Sequence, residues 1–346
     1  MVSYMADVFY LAKTAAARLK DPSDTDFAAV FWLIFKTKVD DSKRYPLPDY
    51  IEEAWGSSSP RTASTIVREA LESLANDWQL VPQYTRAHVR IVCDNGARYI
   101  QGTGNDEGWM YDPYNREWSQ HFSETLDHVC KDPGGRYGAS TTTYRTDPDP
   151  NDPTKPLWFS VIDLCDVMWN KLKMMPTLAG QPLPNTLDGL FARCNYDLSG
   201  MDFPSVYRFF PAVTILHEWL HAIPYEYEDT PTGQIKSGFE HSLKVPLPNV
   251  LFDPEPYAVL CLWAALADLE PCVDKNPGST GGYTINRSWR ELADEDKWKD
   301  TIPPNAEGET KNPGWSGILV PYKDITGTKM SRPTDASAPT ATVNAP

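Results

Sequence analysis

His217, Glu218 and His221 occur in the run His-Glu-Trp-Leu-His. On a helix, residues four apart share one face, so the two imidazoles can bind one metal ion together. Glu218 directly follows the first of them, which sets its carboxylate beside the metal's open coordination position. There it can take a proton from an activated water and later hand it to a leaving amine. That is the chemistry of zinc hydrolysis, and the H-E-x-x-H spacing is a fairly specific sign of it. Thr214, Ile215 and Leu216 precede the motif, Trp219 and Leu220 fill it, and Ala222 and Ile223 follow, so Glu218 is the only acidic residue in the stretch. The competing reading is a core helix with two incidental histidines, an uncommon coincidence with only 6 histidines in 346 residues.

A catalytic zinc needs a third protein ligand, with water in the fourth place. Tyr227 stands where an H-x-x-G-x-x-H continuation would set a third histidine, which excludes that extended motif. Three acidic candidates remain. Asp229 lies eight residues past His221, beyond Pro224, so the chain can turn and bring it back. A short connection does this with little loop-closure entropy. Glu255 stands in the first turn of the next long helix, and Glu240 adjoins His241. Each also has a structural reading: a turn residue for Asp229, a residue favoured by the helix dipole for Glu255.

The elements that must position these residues follow from punctuation and periodicity. Pro211 suits a first helical turn and Pro224 stops the helix that carries the motif. Asp253-Pro254-Glu255 reads as a second helix start, with Asp as cap and Glu favoured by the dipole. The apolar run Tyr257 to Ala267 continues it and is expected to pack against the first. Helices are predicted over 4–20, from Asp24 or Asp26 through Phe35, and over 63–78, with Ile66, Val67, Ala70, Leu71 and Leu74 at helical spacing. A loop is predicted around Gly56 to Pro60. From 86 to 165 the pattern changes: His88 to Cys93 reads as a strand, Asp94-Asn95-Gly96 as a turn, and Trp109 to Asn115 as a surface loop. Residues 146–156 are a proline-rich loop, and Leu157 to Val167 a buried strand or a strand leading into a helix. The expected organisation is a helical N-terminal part over 1–85, a core over 86–330 and a disordered Ser/Thr/Pro-rich tail over 331–346.

Net charge of −15 and a pI near 4.8 argue against nucleic acid and against an anionic membrane as partners. The longest apolar runs, Phe27 to Phe35 and Tyr257 to Ala267, are too short to span a bilayer. The 6 cysteines are compatible with three disulfides, or with a set of reduced core thiols. The Asn286-Arg287-Ser288 sequon, the acidic pI and the tail composition favour a secreted protein. His88, His121 and His128 are far from the motif in sequence and read as surface or core histidines; His241 is nearer. Trp109, Tyr111, Tyr114 and Trp118 read as ordinary packing or as a substrate wall.

With TILHEWLHAI, an Asp soon after it, DPEPYAVLCLWAAL and VIDLCDVMW, the chain resembles the deuterolysin-like aspzincin metallopeptidases, similar to the fungal lysine-specific metallo-endopeptidases. The resemblance covers about 86–270. It implies an α+β, mainly helical, zincin-like fold with an active-site helix and a small sheet. It also implies one zinc ion per chain on His217 and His221, with Glu218 as base. The family's third ligand is an Asp in G-T-x-x-D-x-x-Y-G, and Asp229 is the nearest match, without the Gly-Thr before it or the Tyr-Gly after it. Ser237-Gly238-Phe239 is the nearest remnant of that end, so an oxyanion-stabilising hydroxyl would have to come from Tyr225, Tyr227 or Tyr257. In the family's N-A-D-x-Y segment Glu255 replaces the Asp and Tyr257 keeps the Tyr. Ala258 stands where lysine-specific members are acidic, which argues against lysine specificity.

These readings converge on an expectation: a secreted zinc endopeptidase acting on a protein or peptide substrate. His217, His221 and Asp229 would bind metal, Glu218 and Tyr257 would be catalytic, and Glu255 would line the substrate pocket. The alternative is a zinc-binding protein of the same fold with weak or no catalysis.

Overall fold

The computed structural model describes most of residues 2–48, 59–76, 87–93, 138–146, 157–169, 210–232 and 238–268. Shorter described pieces lie within 100–130, 177–207, 283–285 and 319–321. The expected turn at 94–96, the loop at 147–156 and the tail at 331–346 lie outside the described residues, as do His121, His128 and most of the expected 56–60 loop.

Among the described residues six helices carry the core: α1 (Val2–Arg18), α2 (Thr25–Phe35), α3 (Ala63–Asn76), α4 (Pro211–His221), α5 (Phe239–Lys244) and α6 (Pro254–Asp268). The helix α2 starts where Asp24 accepts the Phe27 N–H at 2.9 Å, and it ends at Lys36 in the left-handed conformation, φ 56°. In α3 the residues Ile66, Val67, Ala70, Leu71 and Leu74 are buried, the one-sided stripe expected from their spacing. Every residue of α6 is buried, as suits a helix that is apolar on all sides. It runs through the centre and touches α1, α2, α4 and α5.

The strands are short: β1 (Arg44–Tyr45), β2 (Arg61–Thr62), β3 (Val89–Val92), β4 (Ile100–Gln101), β5 (Trp109–Asp112), β6 (Glu117–Gln120), β7 (Ala139–Thr146), β8 (Leu157–Leu164), β9 (Thr177–Leu178), β10 (Gln181–Pro182), β11 (Tyr283–Ile285) and β12 (Leu319–Pro321). One sheet matters for the site. Its order is β3-β8-β7, with β3 parallel and β7 antiparallel to β8. Alternation gives it two faces. Ala139, Ile162 and Leu164 join the main core, whereas Tyr144, Phe159 and Val161 form a separate cluster on the other side. The first face packs on α4. The architecture is α+β and mainly helical with small sheets.

Two expectations are corrected. Trp109–Asp112 is a strand and not a loop, because β5 pairs antiparallel with β6 and Tyr111 faces Trp118, while residues 113–115 lie outside the described residues. The aromatic run has strong strand propensity. Three disulfides do not form either. Cys130 bonds Cys165, while Cys93 and Cys261 are free thiols. Cys261 faces only core atoms along α6, and burial pushes its thiol well above the ordinary range. Cys194 and Cys272 lie outside the described residues. Among the described residues no helix is long and apolar enough to cross a membrane.

A buried ionic joint fastens the helices together. Arg18, at the end of α1, pairs with Asp24, the cap of α2, and with Asp268, the last residue of α6; all three are buried. Asp268 is at the unfavourable end of a helix dipole, and Arg18 offsets that. Arg18→Leu should therefore lower stability by about 3–5 kcal/mol, the usual cost of leaving buried charge unpaired. Urea denaturation reads this directly, and a variant as stable as the wild type would remove the joint from the energetics.

Candidate metal centre

The helix α4 forms because Pro211 sits in its first turn and apolar residues follow at helical spacing. It buries Ile215, Leu216 and Leu220 in the core, with His217 and Glu218 nearly enclosed beside them. Trp219 lies on a different side, edge-on to Phe9 at 5.9 Å between ring centres.

Past His221 the chain doubles back. The N–H groups of Tyr225 and Glu226 bond to Ala222 O, Glu226 takes a positive φ of 49°, and the Tyr227 N–H bonds to Leu220 O at 2.9 Å. These bonds satisfy carbonyls that the helix end would otherwise leave bare. The strand-like return continues as Glu228 N–H bonds Phe252 O and Thr230 N–H bonds the Asp253 carboxylate at 2.8 Å. Asp229, between those two anchors, is thereby brought to the histidines.

The three donor atoms are His217 Nε2, His221 Nε2 and Asp229 Oδ1. They stand 3.1 Å apart between the imidazoles and 3.6 and 3.5 Å from the carboxylate. A tetrahedral metal with bonds of about 2.0–2.2 Å needs its donors about 3.3–3.6 Å apart. The two edges to Asp229 fall in that range and the edge between the imidazoles is about 0.2 Å short of it, so a small opening of the rings completes the triangle, and these three residues can hold a metal.

Both rings are oriented from behind. His221 Nδ1 lies 2.6 Å from Tyr227 O, so the assigned tautomer has Nδ1–H donating there and Nε2 open to the metal. His217 Nδ1 lies 2.6 Å from Glu255 Oε2, close but not aligned for a good hydrogen bond. The other Glu255 oxygen accepts the Gly238 N–H. Burial alone would lower the His217 pKa, but Glu255, Glu218 and Asp229 outweigh it and hold it up to about 10. For Asp229 burial acts upward, yet the bond from His221 and the charges of His217, His221 and His241 pull it down to about 2. Carboxylates crowded around two imidazoles make the site electronegative and suited to a dication.

Glu218 is reached from the sheet. The Thr141 hydroxyl on β7 stands 2.7 Å from Glu218 Oε2 and 2.9 Å from the Glu218 carbonyl oxygen. Glu255 is buried behind His217, at the start of α6, where Asp253 Oδ1 accepts its N–H at 3.1 Å. Tyr257 is fully buried. Its hydroxyl donates to Leu251 O at 2.7 Å, and the Tyr227 hydroxyl is 3.4 Å away. Tyr225 is also buried, its hydroxyl 3.4 Å from Ala70 O. The Glu240 side chain lies outside the described residues, and His88 is exposed.

Sequence reasoning did not find two neighbours, Thr141 and Tyr207, and marked a third, His241, only as near the motif. Thr141 is 77 residues from Glu218, and only the sheet register brings it there. Tyr207 is half-buried and bonds Glu255; burial, then Glu255, Asp253 and Asp229, push its hydroxyl well above the usual tyrosine range. His241 is fully enclosed, with Nε2 3.0 Å from Asp253 Oδ2 and Nδ1 2.9 Å from the Thr232 hydroxyl. The pairing of Asp253 with its own helix start was the one available signal for that group. No protein-family model, curated protein or solved structure matches the chain.

Asp229→Ala should abolish tight metal binding, because it removes one corner of the donor triangle. Glu255→Ala should leave the triangle but free the His217 ring, weakening binding by about 10–100-fold. Chelator competition measures both. Equal affinities in the two variants and the wild type would show that the metal is held elsewhere.

Proposed function

We propose that the chain is a secreted zinc-dependent endopeptidase, built like the aspzincins that its sequence resembles. The observation that carries this reading is the triangle of His217 Nε2, His221 Nε2 and Asp229 Oδ1, with Glu218 next to its first corner. Two imidazoles and one carboxylate close to tetrahedral spacing suit zinc. The same donors also suit iron(II) oxygen chemistry, but that chemistry has no use for a carboxylate held beside the ligands, so Glu218 favours hydrolysis.

A zinc ion bound there supplies Lewis acidity, polarising a carbonyl and making a water a good nucleophile at neutral pH. The chain's own groups do the rest. Tyr227 O and Glu255 hold the two rings with Nε2 toward the metal. Glu218 takes the proton of the attacking water and returns it to the leaving nitrogen. The donor set is enclosed on the histidine side, where His217 is 11% exposed, and open at Asp229, which is 51% exposed; a substrate enters from that side. β7 is an edge strand of its sheet among the described residues and passes beside Glu218. An extended peptide can pair with such an edge, which favours a polypeptide substrate. The Cys130–Cys165 disulfide accords with an oxidising compartment.

Glu218→Gln separates this reading from a zinc-binding protein without catalysis. The variant should keep one zinc per chain and lose at least about a hundredfold in turnover of a mixed peptide library. Elemental analysis and cleavage assays on the same samples read both. Full turnover in the variant would take Glu218 out of the mechanism, and a wild type that binds zinc yet cleaves nothing would leave the binding protein.

A further inference from the structure

Thr141 and Glu218 meet across two elements that share no local sequence, which makes their contact a product of the fold. Thr141 stands opposite Ile162 in the β7–β8 register, on the sheet face that packs against α4. Its hydroxyl reaches the Glu218 side chain and the Glu218 carbonyl at once, at 2.7 and 2.9 Å. That carbonyl belongs to the last turn of α4, where helix carbonyls lack N–H partners. The Ala222 N–H that might have served it goes to Trp219 O instead.

We infer that Thr141 is a positioning residue that clamps Glu218 in its working orientation, an inference that rests on Glu218 being the base. A glutamate side chain has three soft torsions, and a base must be aimed at its proton to be effective. With one hydrogen the hydroxyl donates to one of these oxygens at a time, and the nearer, charged carboxylate oxygen is the stronger acceptor, so the clamp is the Thr141 O–H to Oε2 bond. Its bond to Oε2 ties the far end of that side chain to β7, which restricts those torsions. With Oε2 engaged by Thr141, the water's proton goes to Oε1 and leaves from there to the departing nitrogen. Thr141 itself exchanges no proton. The branching at its Cβ restricts χ1 and holds the hydroxyl toward α4.

Thr141→Val keeps the branched shape that suits a strand and removes only the hydroxyl. In the full-length zinc-loaded protein it should bind zinc as the wild type does. Its kcat should fall about tenfold or more, as for loss of a hydrogen bond to a charged group, with KM changed less than about twofold. Thr141→Ser should recover most of kcat. Crystal structures of both variants supply a readout apart from activity: Glu218 should leave its position in the valine variant and hold it in the serine one. Unchanged kcat in Thr141→Val, no recovery in Thr141→Ser, or an unmoved Glu218 in the valine variant overturns the assignment. If the wild type cleaves no peptide, the peptidase reading fails and the two crystal structures alone decide whether Thr141 holds Glu218.

Discussion

Two imidazoles four residues apart can share one ion only if both turn the same nitrogen to the same point. Helical spacing brings the rings to one face but leaves each free to flip. What removes that freedom is a partner on each Nδ1: Tyr227 O for His221 and Glu255 for His217. Both partners come from chain that follows the helix, so the site requires the polypeptide to return twice. The first return needs a sharp reversal, supplied by Pro224 and by Glu226 in the left-handed region. The second needs α6 to present its first turn to α4.

That second demand explains the character of α6. A helix buried on every side can carry charge only at its ends, and Asp253, Glu255 and Asp268 are all there. The two acidic groups at its start are favoured by the dipole and free to serve the histidines. The one at its finish is opposed by the dipole and is held by Arg18. The helix that backs His217 is thus located at one end by the site and at the other by the N-terminal helices.

Much of this was legible because it is local. The H-E-x-x-H run, the proline that opens α4 and the Asp-Pro-Glu start of α6 each declare themselves within a few residues, and the structure sets those helices where they were expected. Asp229 was also legible, because the short connection past Pro224 returns it to the histidines with little loop-closure entropy, and it lies in the donor cluster. The bonds that hold its neighbours to Leu220, Phe252 and Asp253 are contacts that no spacing rule contains. Thr141 and Tyr207 were beyond reach, since register and packing bring them in, and for His241 the sequence offered only its nearness to the motif. The cysteine count left three disulfides and a reduced set both open, and the structure lies between them, with Cys130 bonded to Cys165 while Cys93 and Cys261 are free. The β5–β6 pair was missed differently: its strand-forming aromatic residues were read as a surface loop, and only the pairing of Tyr111 with Trp118 shows the strand.

One carboxylate ties these distant parts together. Asp253 accepts the Thr230 N–H and faces His241 Nε2 with one oxygen, and accepts the Glu255 N–H with the other. Thr230 adjoins Asp229, and Glu255 backs His217. The third metal donor and the group that orients the first are therefore fastened to the same side chain, deep in the core, and cannot shift independently. His241, itself bonded to Thr232, extends this into a network whose centre, Asp253, His241 and Glu255, is buried, and hydrogen-bonded groups in such a setting stiffen a fold. Glu218 is held from the opposite side, by β7. The donors and the carboxylate beside them thus answer to different supports, so a change that disturbs one need not disturb the other. That separation lets Glu218 be altered through β7 without touching the supports of the donor triangle.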